Sequence, residues 1–252
     1  VLPWRGATAE HLKRHFLAPA VALLVTAGLA LALGLRAPYA LAAFAFAAFA
    51  IVTNGQEFVF GAAARRRMHG EAWALALSRL IRSNNRRYGG YIAHIGAIAL
   101  TVGIAASSTF RTEREVTLRQ GETVTVRGYT VRFDELWARE EPHRWVVGAD
   151  VSAFTGPRLL GQLQPRLNFY GGQQEPITTP AVRSRMDEDL YLNLLAFDEG
   201  GAHVTLSVIV EPLVFWIWAG GLIVAVGAVV AAFPRRRSRR PVSRPAAATE
   251  LA

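Results

Sequence analysis

A chain of 252 residues has room for one or two ordinary domains, but 52% apolar residues and a mean hydropathy of +0.22 exclude a simple soluble protein. The absence of cysteine excludes disulfides, thiol redox chemistry and thiolate metal sites, so any redox role requires a bound cofactor. The net charge of +9 is distributed as a membrane-topology signal and gives no support to nucleic-acid binding.

The apolar residues gather into four blocks, Leu17 to Leu35, Tyr39 to Thr53, Gly89 to Ser107 and Leu213 to Phe233. Each is roughly 15 to 21 residues long, the length that spans ~30 Å of hydrocarbon. Arg5, Lys13 and Arg14 precede the first block, a run from Arg65 to Arg87 separates the second from the third, and Arg235 to Arg244 follow the fourth. By the positive-inside rule these segments are cytoplasmic, and both chain ends face inward.

Lys13 and Arg14 ahead of an apolar run have the outline of a secretory signal, which makes a processed amino terminus one reading. Val1 in place of Met, and Arg36-Ala37-Pro38 as a tight outer turn between antiparallel helices, favour the other, an internal segment of a longer chain. The second block is short, with Gln56, Glu57 and Phe58 positioned to continue its helix into the headgroup region. Trp73, Leu77, Leu80 and Ile81 then recur at helical spacing with arginines opposite, which fits a helix lying in the inner interface or an extension of the next span.

Between the third and fourth blocks, Phe110 to Glu211 is rich in short β-forming runs: 115–118, 123–126, 129–137, 144–154, 158–167, 190–197 and 202–210. Turn signals separate them at Gln120-Gly121, Arg127-Gly128, Gly156-Pro157, Gly171-Gly172 and Gly200-Gly201. A small antiparallel barrel or sandwich closes such edges. The expected architecture is a polytopic α-helical membrane protein with four transmembrane helices and a small all-β periplasmic domain. Residues 1–109 form a membrane region with spans at about 17–35, 38–55 and 89–108 and a basic cytoplasmic loop at about 57–88. Residues 110–211 form the β domain, and 212–252 the last span, ending at 233, and a basic tail that binds anionic membrane lipid.

Five of the six histidines, His11, His15, His69, His143 and His203, fall in solvated or structural positions. His94 falls inside the third span, where an ionisable group is costly and usually functional. An imidazole there needs a partner for each nitrogen, and both an iron atom and a neighbouring helix meet that need. At spacings of three and four, Gly90, Ala97, Thr101, Ala105 and Ser108 share its face, while Gly89, Ala93, Gly96, Gly103 and Ala106 make a second slim face. Two slim faces imply two close neighbours, and no second histidine lies at the same depth.

The carboxylate clusters Glu140-Glu141, Asp187-Glu188-Asp189 and Asp198-Glu199 read as solvated faces, and Trp216 and Trp218 as an aromatic belt. No P-loop, dinucleotide fingerprint, nucleophile elbow or metalloprotease motif is present.

The stretch beginning at Asn84, NNRRYGGYIAHIGAIALTVGIAASS, then a β-rich segment, then Glu211 to Phe233, EPLVFWIWAGGLIVAVGAVVAAF, resembles the carboxy-terminal part of the cytochrome c biogenesis protein CcmF, a haem lyase subunit. The QEF tripeptide and basic loop also match. The resemblance implies a bacterial inner-membrane protein with a role in attaching haem to apocytochrome c on the periplasmic side. It implies that His94, in its YxxHxG context, is an axial ligand of a transmembrane b-type haem, with Tyr91 and Thr101 as candidate groups around it. It further implies that this haem reduces the incoming haem iron, with quinol as a possible electron source.

The family's other ligands and its tryptophan-rich haem-handling loop belong to the amino-terminal part, absent from this sequence. The chain is therefore expected to be inactive alone and to act with that part or a split partner subunit. Other expected partners are further cytochrome c maturation subunits, a haem chaperone and apocytochrome c. The competing readings are a non-enzymatic scaffold that docks maturation partners through its β domain, an outer domain acting independently of haem, and a transporter subunit. The last lacks internal symmetry, broken helices or further intramembrane charges.

Overall fold

A computed structural model describes residues 9–173, 175–198 and 200–233. Arg5, Glu199 and the basic tail at 235–244 lie outside the described residues. Helix α1 (Ala9–Ala32) turns at Gly34, whose φ of +88° is cheap only without a side chain, and α2 (Pro38–His69) starts with Pro38 in its first turn. Among the described residues four helices, counting α4 (Asn85–Phe110) and α5 (Val214–Ala232), are long and apolar enough to cross a membrane. The protein is thus a polytopic membrane protein.

Helix α2 continues well past residue 55. Its 32 residues make a rod of about 48 Å, which outlasts a ~30 Å hydrocarbon layer. The segment 56–69 holds alanines and arginines and no proline, so nothing in it stops a helix. Gly61 is its weak point for propensity, yet a Cβ there falls 2.7 Å from both Leu80 Cδ2 and the Tyr88 hydroxyl, so the glycine admits α3 (Trp73–Ser83) and α4. Gly70 (φ 65°) ends α2 in the left-handed conformation and donates its N–H to the Arg66 carbonyl.

The elbow from α2 into α3 is held by charge. Glu71 receives Arg65 Nε at 2.8 Å and Arg79 Nη1 at 2.5 Å, while Arg66 donates to the Glu71 carbonyl and lies 4.6 Å from the Trp73 ring centre. The Arg65 hydrogen bond, with Arg79 behind it, holds the Glu71 carboxyl below the usual carboxylate range.

Beyond α4 the chain builds two sheets. One has the order β1-β10-β9-β8, with β1 Thr112–Arg119, β8 Ala181–Arg183, β9 Glu188–Phe197 and β10 His203–Pro212. The other has the order β2-β3-β4-β6-β7, from β2 Thr123–Val126, β3 Tyr129–Glu141, β4 Arg144–Thr155, β6 Arg166–Tyr170 and β7 Ile177–Thr179. Strand β5 (Arg158–Leu163) pairs with the second half of β4, and β6 with its first half. The run expected over 158–167 splits because Pro165 has no N–H to offer the ladder.

The two sheets bury Val131, Phe133, Val151, Leu192, Leu206 and Val208 completely, the alternate residues of their strands. All five expected turns contain a positive-φ glycine, and Arg127-Gly128 (φ 47° and 85°) is the two-residue turn whose twist suits a hairpin.

Sandwich and membrane helices are joined without slack. Strands β1 and β10 pair from Thr112↔Val210 onward, and they continue directly into α4 and α5, which are themselves packed together. Arg127 Nη1 donates to the Phe110 carbonyl at 2.6 Å, and Arg111 pairs with Glu113 and Glu211. Leu213 N–H donates to the Asp187 carbonyl, and Trp216 Nε1 to the Met186 carbonyl at 3.1 Å. Trp216 therefore locks the last helix to the sandwich, whereas Trp218 remains 77% exposed as a belt residue should.

Candidate functional site

The two faces of α4 meet different surroundings. On one, Gly89 lies against Gly227 of α5, Gly96 against Gly220 and Gly103 against Ile217. A Cβ on Gly96 would sit 2.6 Å from the Gly220 carbonyl oxygen, and one on Gly227 2.4 Å from the Ala93 nitrogen. The helices touch backbone to backbone, which only glycine permits.

On the other face, α2 and α4 leave an open groove of about 360 Å³. Helix α2 supplies Ala43, Phe46, Ala47, Ala50 and Asn54, and α4 supplies His94, Ala97, Ile98 and Thr101. The small side chains at 43, 47, 50 and 97 make its walls slim. His94 is exposed into it, and the described residues offer its ring no hydrogen bond. The neighbour expected on this face is thus only partly supplied by the chain.

Of the residues singled out in the sequence, Thr101 shares the groove with His94, and its hydroxyl donates to the Ala97 carbonyl at 2.9 Å. Tyr91 stands off the groove, at the arginine-rich end of the helix. Its hydroxyl accepts from Arg87 Nε at 3.2 Å, and its ring packs edge-on against Tyr88 and Phe58. Arg87 also pairs with Glu57, which ties α4 to α2.

Asn54 carries no motif and escapes a reading by composition, although Thr53-Asn54-Gly55 is a polar break in the apolar block. Its side chain is 92% buried by its 8% exposure, and Nδ2 donates to the Ala50 carbonyl at 2.8 Å. Oδ1 is buried with no hydrogen-bond partner among the described residues. An orphaned acceptor of this kind costs about 1–3 kcal/mol.

Several of the other titratable side chains have ordinary partners. His203 sits 3.0 Å from Asp198, whose carboxyl the His203 backbone N–H holds below its usual range. Glu141 pairs with Arg144, Asp187 with Arg185, and buried Asp189 accepts from Ser184 and the Arg185 N–H. Among the described residues no three His, Asp or Glu side chains gather into a metal site.

Four apolar helices bearing a β-sandwich define the class: a polytopic membrane protein with one extramembrane β domain. Residues 109–212 match the family model described as the CcmF C-terminal beta-sandwich. The chain is 31% identical over 156 residues to the cytochrome c-type biogenesis protein CcmF of Pseudomonas aeruginosa, covering 62% of this chain and 24% of that protein. It is 30% identical over 168 residues to CcmF of Escherichia coli (66% and 26%) and 27% identical over 240 residues to the biogenesis protein CycK of Rhizobium meliloti (94% and 34%). A solved cytochrome c haem lyase CcmF superposes with a TM-score of 0.74 at 25% identity, over 92% of this chain and 36% of that one. Sequence and fold are together similar to the carboxy-terminal part of the CcmF proteins. The chain spans 24 to 34% of the length of these curated relatives.

Proposed function

We propose that this chain serves cytochrome c biogenesis as the carboxy-terminal part of a haem lyase, and that the α2–α4 groove holds a b-type haem with His94 as one axial ligand. The observation that carries the reading is an intramembrane imidazole, open to a slim-walled groove and without a hydrogen-bond partner among the described residues. The donor set fits the group: a neutral imidazole binds haem iron, alanines at 43, 47, 50 and 97 admit a flat macrocycle, and apolar walls exclude water. When bound, the haem supplies one-electron chemistry at a potential set by its axial ligands and surroundings.

The chain's own contribution is to hold and orient. The glycine face fixes α4 against α5, so His94 is presented by a rigid helix. The Glu57–Arg87 pair and the Arg87–Tyr91 hydrogen bond fasten the arginine-rich end of the groove. Thr101 lines the groove two turns along. A further ligand and the site of haem attachment would be supplied by the amino-terminal part of the same protein or a split subunit. The segment is inactive without them.

In this reading the arginine-rich helix ends are cytoplasmic and the sandwich is periplasmic, where it meets other maturation subunits, the haem chaperone and apocytochrome c. The test is complementation of cytochrome c maturation in cells lacking the intact protein. The wild-type gene restores holocytochrome c, and His94→Ala, made to the same level, leaves it at background. Full maturation by His94→Ala contradicts the assignment. Such maturation with a colourless purified protein favours a scaffold role for the sandwich.

A further inference from the structure

Asn54 is the groove's unexplained group. It lies inside a membrane-spanning helix, 92% buried by its 8% exposure, with an oxygen that no described donor reaches. Its amide nitrogen is already committed to the Ala50 carbonyl, so the free oxygen is what it presents.

The topology brings this oxygen toward His94. Helices α2 and α4 run in opposite directions, and two contacts mark their relative level: Glu57 with Arg87 at one end, and Phe44 stacked on Phe110 at the other. Between these marks Asn54 stands three residues from Glu57, and His94 seven from Arg87, on facing walls of one groove. Side chains on a helix lean toward its amino terminus. Because the helices are antiparallel, His94 leans toward the arginine-rich end and Asn54 away from it, so the two incline toward each other.

A neutral imidazole that gives one nitrogen to a metal has one N–H left to place, and a fixed acceptor for it sets both tautomer and ring angle. Other polar groups on the groove are spent or remote. Thr101 is two turns further along and donates to Ala97, and the Ala50 carbonyl already receives Asn54. Resting on the haem reading above, we infer that Asn54 is the positioning residue for His94: Oδ1 accepts the ring N–H and turns the other nitrogen to the open side of the groove.

An acceptor on the ring N–H makes the imidazole a stronger donor and favours the ferric state. Redox titration of the purified intact protein, followed by its optical spectrum, therefore separates two variants. With Asn54→Leu, the ferrous-to-ferric ratio at a fixed ambient potential rises roughly tenfold. With Asn54→Asp, whose carboxylate is the better acceptor, the ratio falls below wild type. Opposite shifts support the positioning role, because loosened packing moves both variants the same way. Unchanged ratios, or shifts of the same sign, overturn it. If the leucine variant yields no protein, the aspartate variant decides alone: a lower ratio supports the inference and an equal or higher one overturns it. His94→Ala run alongside keeps the two claims apart, since retained haem there defeats the haem reading, whereas lost haem with unaltered Asn54 variants defeats only this inference.

Discussion

Helix α4 shows two ways of using small residues in a membrane. Its glycine face is sealed within the chain, with α5 so near that Cβ atoms on Gly89, Gly96 or Gly227 would fall inside neighbouring backbone. Its histidine face has equally small residues, but they leave a groove, where Asn54 Oδ1 and the His94 ring have no hydrogen-bond partner among the described residues. Small residues alone do not distinguish packing from binding. The difference lies in whether the space they free is filled by this chain.

The sharpest way to break the comparison is to add carbon to each face. Gly96→Val places a Cβ 2.6 Å from the Gly220 carbonyl, a clash with backbone that costs more than the ~1–3 kcal/mol of ordinary overpacking. The intact protein should fail to accumulate in membranes, as measured by immunoblot. Gly90→Ala, on the histidine face of the same helix, meets nothing within 4 Å and should accumulate normally. Equal levels of the two variants would erase the distinction.

A smaller effect is expected where α5 is tied to the sandwich. Trp216→Phe keeps the aromatic body but removes the hydrogen bond to the Met186 carbonyl, a loss of about 0.5–1.5 kcal/mol. Hydrogen exchange should show faster opening of 184–187 with the sandwich core unaffected. Uniformly accelerated exchange across both sheets would instead make the junction part of the core.

The sequence made the architecture legible because its signals are redundant. Four apolar blocks bounded by arginines, and five glycine-bearing turns between alternating runs, each point to the observed element by composition alone. The end of α2 was not legible, because Gly61 and the arginines read as a loop until Leu80, Tyr88 and Glu71 are seen against them. The short strands β7 and β8 were missed for a related reason: three residues each carry little pattern, and their pairing with β6 and β9 defines them. In the groove, His94 stood out as the costly residue in a span. Asn54 did not, since its meaning depends on an empty acceptor that only packing reveals.

The gentlest probe is pH at the arginine-rich end. The Glu71 carboxyl lies below its ordinary value of 4.5, so its pairs with Arg65 and Arg79 contribute fully above that pH and are lost as the pH falls through the depressed value. Protection of the amides at 69–74, corrected for intrinsic exchange, should hold at neutral pH and decline only in that acid range. Glu71→Gln should show the reduced protection at every pH. Protection that declines near neutrality would place its control on another group.

The most direct measurement is the reduced-minus-oxidised optical spectrum of the intact protein, purified with and without His94→Ala. The account predicts a b-type haem signal in the wild type that vanishes in the variant while the protein still accumulates and folds. An identical haem signal from both proteins would contradict it.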